Sequence, residues 1–298
     1  MNDLQRVQLG ILNEFDRLCR LFNIPYSLAA GTALGAVRHK GFIPWDDDID
    51  VYIMRNDFKR LKKAWEQEAP PHLFLQTYET DPEHHMFCHK IRDCRTTQIE
   101  EDASHIKNMN HGIYIDVFLL DYTPASLWLR QIQKFLFALF IISTRSRALA
   151  KNKVGKTCRF IFRLLPVKLR ILYQKALEGL IMLIGTINTR GVTKFWIVKK
   201  GFFRKPPRTA SEGNFSQIYD TSPPDTEAWL SQADLLADLV DVPFENESVR
   251  LMRDWDTYLS YRFGDYMTPP PPELRVPPHT ATVIDTETPY TEYICKRS

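Results

Sequence analysis

Apolar positions recur with two different periods along the first 124 residues, and the period separates helix from strand. Leu4, Val7, Ile11, Phe15, Leu18 and Phe22 lie three or four apart, which predicts an amphipathic N-terminal helix with Asn2 or Asp3 as its cap. Pro25 ends it. Residues 26–30 are short and apolar, as a buried strand would be. Gly31-Thr32 then opens a short helix through Leu34 and Val37, and Arg38-His39-Lys40-Gly41 forms a basic loop. Residues 48–53 alternate acid and apolar side chains, the pattern of a half-buried strand. A helix is predicted over 57–68 and short strands over 74–78, 87–91 and 97–100. Another alternating strand covers 112–119 and carries Asp116.

Further along, residues 125–205 read as helical, interrupted by Pro166 and closed by Pro206-Pro207. A helix is predicted over 248–263, followed by a polyproline-like run at 269–272. The last twenty residues show no period, and the chain has no internal repeat. This order predicts an α/β (α+β) fold, a mixed sheet flanked by helices. Three parts are expected: a catalytic core at 1–124, a basic amphipathic helical insertion at 125–205, and a C-terminal part at 206–298 that completes the core.

Composition changes this picture in one respect. The chain of 298 residues is 44% hydrophobic and 25% charged, ordinary for a globular protein, and its formal charge is only +3. Residues 125–205, however, hold 18 Lys and Arg against one acid, Glu178, a net +17. Such a block implies an anionic partner, and its mixture with Phe, Leu, Ile and Trp points to an anionic membrane surface. No nucleic-acid-binding motif stands out, so no nucleic acid is expected. The longest uncharged apolar run, residues 135–144, falls short of the roughly 20 residues that a spanning helix needs. Five scattered cysteines and the absence of a signal-peptide pattern suggest a reduced, cytoplasmic protein, peripheral at the inner face of the membrane.

The chemistry concentrates in residues 31–51. In a strand, Asp48 and Asp50 face the same way. Two adjacent carboxylates repel unless a cation lies between them. Oxygen-only ligands suit Mg²⁺ or Mn²⁺, and Mg²⁺ commonly completes its shell with phosphate oxygens. Asp116 is the candidate third carboxylate, while Asp46 and Asp47 shape the loop or support the ligands. The Gly31-Thr32 turn offers backbone N–H groups to a phosphate at a helix start. His84, His85, Cys88, His89 and Cys94 cluster in sequence, but their spacing does not match a structural zinc site.

The run Gly31-Thr32-Ala33-Leu34-Gly35-Ala36-Val37-Arg38-His39-Lys40-Gly41-Phe42-Ile43-Pro44-Trp45-Asp46-Asp47-Asp48-Ile49-Asp50 resembles the signature of the LicD family, which is related to fukutin and belongs to the nucleotidyltransferase-fold superfamily. Lys90-Ile91-Arg92-Asp93, Tyr114-Ile115-Asp116-Val117-Phe118 with Asp121, and Phe263-Gly264-Asp265-Tyr266-Met267 extend the resemblance. One departure is Phe118-Leu119-Leu120-Asp121, where many members have Phe-Pro-Leu-Asp, and a looser loop is expected there.

The resemblance implies a nucleotidyltransferase-like core. It also implies transfer of a phospho-alcohol, such as phosphocholine or ribitol phosphate, from a CDP-activated donor such as CDP-choline. The acceptor would be a hydroxyl of a cell-surface glycan (lipopolysaccharide or teichoic acid) or its lipid-linked precursor, and CMP would be released. Asp48, Asp50 and Asp116 match the metal-binding and catalytic positions, with Asp116 as a candidate base. Arg38, His39, Lys40 and Lys90 become candidate phosphate contacts beside Gly31 and Thr32. If the alcohol is choline, Trp45, Trp255, Tyr258, Tyr261 and Tyr266 are candidate faces for its ammonium. A nucleotidyltransferase releasing pyrophosphate and a non-enzymatic membrane-associated scaffold are the alternatives.

Overall fold

The computed structural model describes residues 1–124, 126–144, 164–187, 189–193, 236–277 and 279–295. The readings made for the remainder of the basic block and for 206–235 lie outside the described residues. Helix α1 (Asp3–Leu21) starts at a capping box. The Asn2 side chain accepts the Gln5 N–H at 2.8 Å, and the Gln5 side chain accepts the Asn2 N–H at 3.0 Å. Such a cap stabilises a helix by about 1 kcal/mol. Leu12, Phe15 and Leu18 on its inner face are fully buried, each contributing roughly 1.5–3 kcal/mol.

The chain continues through β1 (Tyr26–Leu28), α2 (Ala30–His39), β2 (Asp50–Met54), α3 (Arg55–Glu68), β3 (Leu73–Gln76), β4 (His89–Asp93), β5 (Thr97–Glu100) and β6 (Ile113–Pro124). A sheet in the order β1-β2-β6-β4-β3 forms the centre. Only β2 and β6 run parallel; the other neighbours are antiparallel. Val51, Ile53, Ile91, Ile115 and Val117 are buried together with the inner face of α1. The mixed α/β class expected from the two periods is therefore observed.

Helices α4 (Leu127–Thr144) and α5 (Val167–Gly185) follow, and β7 (Thr189–Thr193) pairs with the far half of β6. Gln133 Nε2 donates to the Ile181 carbonyl at 3.0 Å, and Gln174 Nε2 to Ser143 Oγ at 3.1 Å, so α4 and α5 run antiparallel. The hairpin of β8 (Leu239–Phe244) and β9 (Glu247–Met252) leads into α6 (Trp255–Phe263). Strand β10 (Ala281–Asp285) pairs with β5, and α7 (Tyr290–Cys295) ends the described chain.

Four expectations are corrected. Residues 189–193, inside the block read as helical, are strand β7, held by its pairing with β6. The helix predicted over 248–263 is a strand and then a helix: Val249 and Leu251 are buried on either side of Arg250, a period of two within an apolar stretch too short to reveal it. The last twenty residues, which show no period, supply β10 and α7; an edge strand with one partner needs little apolar alternation. The loop expected to loosen after Phe118 is instead continuous strand. Leu119 and Leu120 pair with β2, and Asp121 with β7. A proline there would have no N–H for the ladder.

His89 is buried and stacks on Phe58 with ring centroids 4.4 Å apart. Burial, then repulsion from Arg55 and Lys62, lowers its pKa from 6.5 to about 3. The unfolded chain binds this proton first, so the contribution of His89 to stability is complete above about pH 6.5 and is lost as pH falls toward 3. Urea denaturation at pH 7 and pH 5 should show a smaller decline for His89→Phe than for the unaltered protein. Equal declines would contradict the assignment.

Candidate metal and phosphate site

Two strands bring the carboxylates together. In the parallel register of β2 on β6, Asp50 stands opposite Asp116. The Asp116 N–H donates to the Ile49 carbonyl at 2.7 Å, tying the entry of β2 to β6. Asp48 precedes the strand rather than lying in it, so its direction is set by the loop and not by strand alternation. Two glutamines of α1 hold that loop. Gln5 Nε2 donates to the Asp46 carbonyl at 3.0 Å and Gln8 Nε2 to the Asp47 carbonyl at 2.8 Å. As a result Asp48, Asp50 and Asp116 each place a carboxylate oxygen within 4.8 Å of the other two, and all three are buried.

Helix α2 fixes the other side. Thr32 Oγ1 accepts the Asp50 N–H at 2.8 Å, and the Ala29 N–H donates to the Asp50 carbonyl at 2.9 Å. The Thr32 hydroxyl therefore positions Asp50. Gly31 and Thr32 lie in the first turn of α2, and Ala29, with no side-chain bond, is the cap. Ala30 has a positive φ of 46°, and its N–H donates to the Tyr258 hydroxyl at 2.9 Å, so α6 props the helix start. At the other end of α2, Lys40 adopts φ 61° and its side chain is exposed. A side chain at Gly41 would collide with Glu245, which accepts the Phe42 N–H at 3.0 Å. The β8–β9 turn thus pins the basic loop.

Lys90, a candidate phosphate contact, is a buried counter-charge to Asp116. It stands opposite Asp116 in the β4–β6 register. Its Nζ lies 2.9 Å from Asp116 Oδ1, 3.8 Å from Glu100 and 3.2 Å from the centroid of the Tyr114 ring, with 1% of the side chain exposed. Burial opposes its charge, but Asp116 and Glu100 outweigh burial and raise its pKa. Glu100, buried between Lys90 and Arg92, is held below the usual carboxylate range.

In the last turn of α2, where the sequence pattern predicts a loop, Arg38 Nη1 donates to the Tyr266 carbonyl at 2.7 Å, while its buried Nη2 has no hydrogen-bond partner among the described residues. Burial and the nearby Arg275 lower the Arg38 pKa. His39 packs edge-on to Trp45. Three of the aromatic candidates for an ammonium are engaged. The buried Tyr266 donates its hydroxyl to Asp256. Arg275 lies 5.4 Å from the Trp45 ring centroid, and Tyr258 is buried edge-on to Tyr52.

One site residue has no counterpart among the sequence candidates. His279 Nδ1 donates to Asp47 Oδ1 at 2.9 Å and lies 3.7 Å from Asp48 Oδ2. Burial would lower its pKa, but Asp48 and Asp47 raise it to about 10. It follows a proline-rich stretch without periodicity, and the only local hint was a lone histidine.

The donor set fits a hard divalent cation. It is all carboxylate oxygen at its centre, and burial together with neighbouring aspartates raises the pKa of Asp46 well above its usual value and that of Asp48 as well. Surplus negative charge in a buried cluster is what a bound cation relieves.

Residues 23–137 match the family described as LicD/FKTN/FKRP, nucleotidyltransferase domain. The three aspartates, α2 and Lys90 fall within it; His279 falls outside. Over 125 residues the chain is 42% identical to the lipopolysaccharide cholinephosphotransferase LicD of Haemophilus influenzae, covering 42% of this chain and 45% of that protein. An uncharacterized protein of Rickettsia prowazekii is 36% identical over 102 residues, 34% of each chain. The chain thus spans less than half the length of the curated relatives it matches.

Removing one partner of a buried ion pair typically costs about 3–5 kcal/mol. Lys90→Met is expected to destabilise the protein by that order in urea denaturation, and Lys90→Arg by less. A surface phosphate contact would show no such loss.

Proposed function

We propose that this protein is a Mg²⁺- or Mn²⁺-dependent phosphotransferase of the LicD type. It moves a phospho-alcohol, most directly phosphocholine, from a CDP-activated donor to a hydroxyl of a cell-surface glycan or its lipid-linked precursor, and releases CMP. The observation that carries this reading is the convergence of Asp48, Asp50 and Asp116 from a loop and two parallel strands, inside the segment that matches the family. The choice of phosphocholine and a lipopolysaccharide-type acceptor rests on the cholinephosphotransferase relative.

The chain's own groups divide the work by position. Asp48, Asp50 and Asp116 would hold the cation, which supplies charge neutralisation at the diphosphate. Lys90 keeps Asp116 oriented from beneath. Its pairing with Asp116 Oδ1 favours a charge-holding role for that carboxylate over the proton-accepting role suggested by the resemblance. Arg38 offers the buried Nη2 donor to a phosphate oxygen, and guanidinium groups suit that contact. Thr32 and Gln8 act on position, through the Asp50 N–H and the Asp47 carbonyl.

Purified protein incubated with CDP-choline, CDP-ribitol or CDP-glycerol and Mg²⁺ should release CMP with one of them and lose that activity in EDTA. Asp48→Asn and Asp50→Asn should each lower turnover at least about 100-fold, the order expected when transition-state charge loses its stabilisation. Full activity in either variant would remove the metal assignment. Turnover with a nucleoside triphosphate and none with CDP-alcohols would favour a pyrophosphate-releasing enzyme.

A further inference from the structure

Helices α4 and α5 bury one apolar face, with Phe137, Phe140, Ile141, Leu177 and Ile181, and expose a second. On α5, Arg170, Gln174 and the apolar Leu177 and Ile181 are buried against the rest of the protein. Glu178, the single acid of residues 125–205, also turns inward. It ion-pairs with Arg55 and accepts a hydrogen bond from Tyr78. The opposite side presents Leu169, Leu172, Ala176, Leu180 and Leu183, all exposed, and the exposed Ile187 follows the helix end; Leu172 is 63% and Leu183 61% accessible. At about 100° per residue the five helical positions fall within an arc of about 80°. Helix α4 repeats the arrangement: Arg130 and Gln133 are buried, while Trp128 (71%), Phe135 (62%) and Ile142, seven residues apart, face outward.

A water-facing helix of this kind would carry its polar side chains outside. An outward leucine stripe calls for an apolar medium or an apolar partner. Charge decides between them. Lys168 and Lys175 are exposed along one flank of the α5 stripe, Lys175 pairing with Glu79 at 3.0 Å, and the only acid of the segment is held inside. A second copy of this surface would bring like charges together. No described helix is long and apolar enough to cross a membrane. We propose that α4 and α5 lie in the interfacial layer of an anionic phospholipid bilayer. The Leu169–Leu183 stripe, with Trp128 and Phe135, reaches the acyl boundary, while the lysines stay at headgroup level. This assignment stands independently of the transfer chemistry.

The test is flotation of the full-length protein with vesicles of phosphatidylcholine, alone or with added phosphatidylglycerol. Binding to the anionic vesicles is expected, with a fraction that persists at high salt because apolar insertion is not screened. Leu172→Glu/Leu183→Glu should lower the partition coefficient at least about tenfold. Leu172→Ala/Leu183→Ala, which adds no charge and fills exposed positions, should lower it in the same direction with an unchanged urea midpoint. Quenching of tryptophan fluorescence by brominated lipid should fall in Trp128→Phe. Three results would overturn the proposal: no binding of the unaltered protein to anionic vesicles, equal binding by the leucine variants, or dimers in solution that the leucine variants abolish.

Discussion

The structure depends on a pair of strands that forces two carboxylates side by side. Parallel registry of β2 on β6 puts Asp50 against Asp116, an arrangement that electrostatics disfavours in a buried place. It is tolerated because the antiparallel neighbour on the other side of β6 delivers Lys90 to the same point. One strand thus receives an acid from its left and a base from its right. The sheet order, with β6 between β2 and β4, makes the cluster possible, and the hydrogen bonds of Thr32, Gln5 and Gln8 hold the loop that adds Asp48.

Much of the core was legible because it is local. The period of α1, the acid–apolar alternation around Asp50 and the strand around Asp116 each declare themselves within a few residues. What required the structure was registry and direction. Lys90 was visible as a basic residue near a strand, but only the β4–β6 pairing shows that it faces Asp116 and not solvent. The period of the basic helices showed two faces without showing which one turns inward. His279 was illegible altogether, since its partners lie in a loop 232 residues earlier.

A second buried charge network joins the basic helices to that core. Arg55, immediately after β2, makes two bonds of 2.8 Å to the Asp121 carboxylate on β6 and also pairs with Glu178 of α5. Its pKa is raised by Asp121 and Glu178 against the penalty of burial. The residues that end β2 and extend β6 therefore grip the helix that presents the leucine stripe. The outward surface and the carboxylate cluster sit at two ends of the same strand pair.

The clasp between His279 and Asp47 also bears on the order in which the protein is built. Synthesis delivers the aspartate loop 232 residues before its histidine partner. Contacts so distant along the chain form slowly, because a long loop must close first. During translation the nascent polypeptide therefore carries an acidic cluster without this counter-charge, and the cluster is complete only after His279 has emerged from the ribosome.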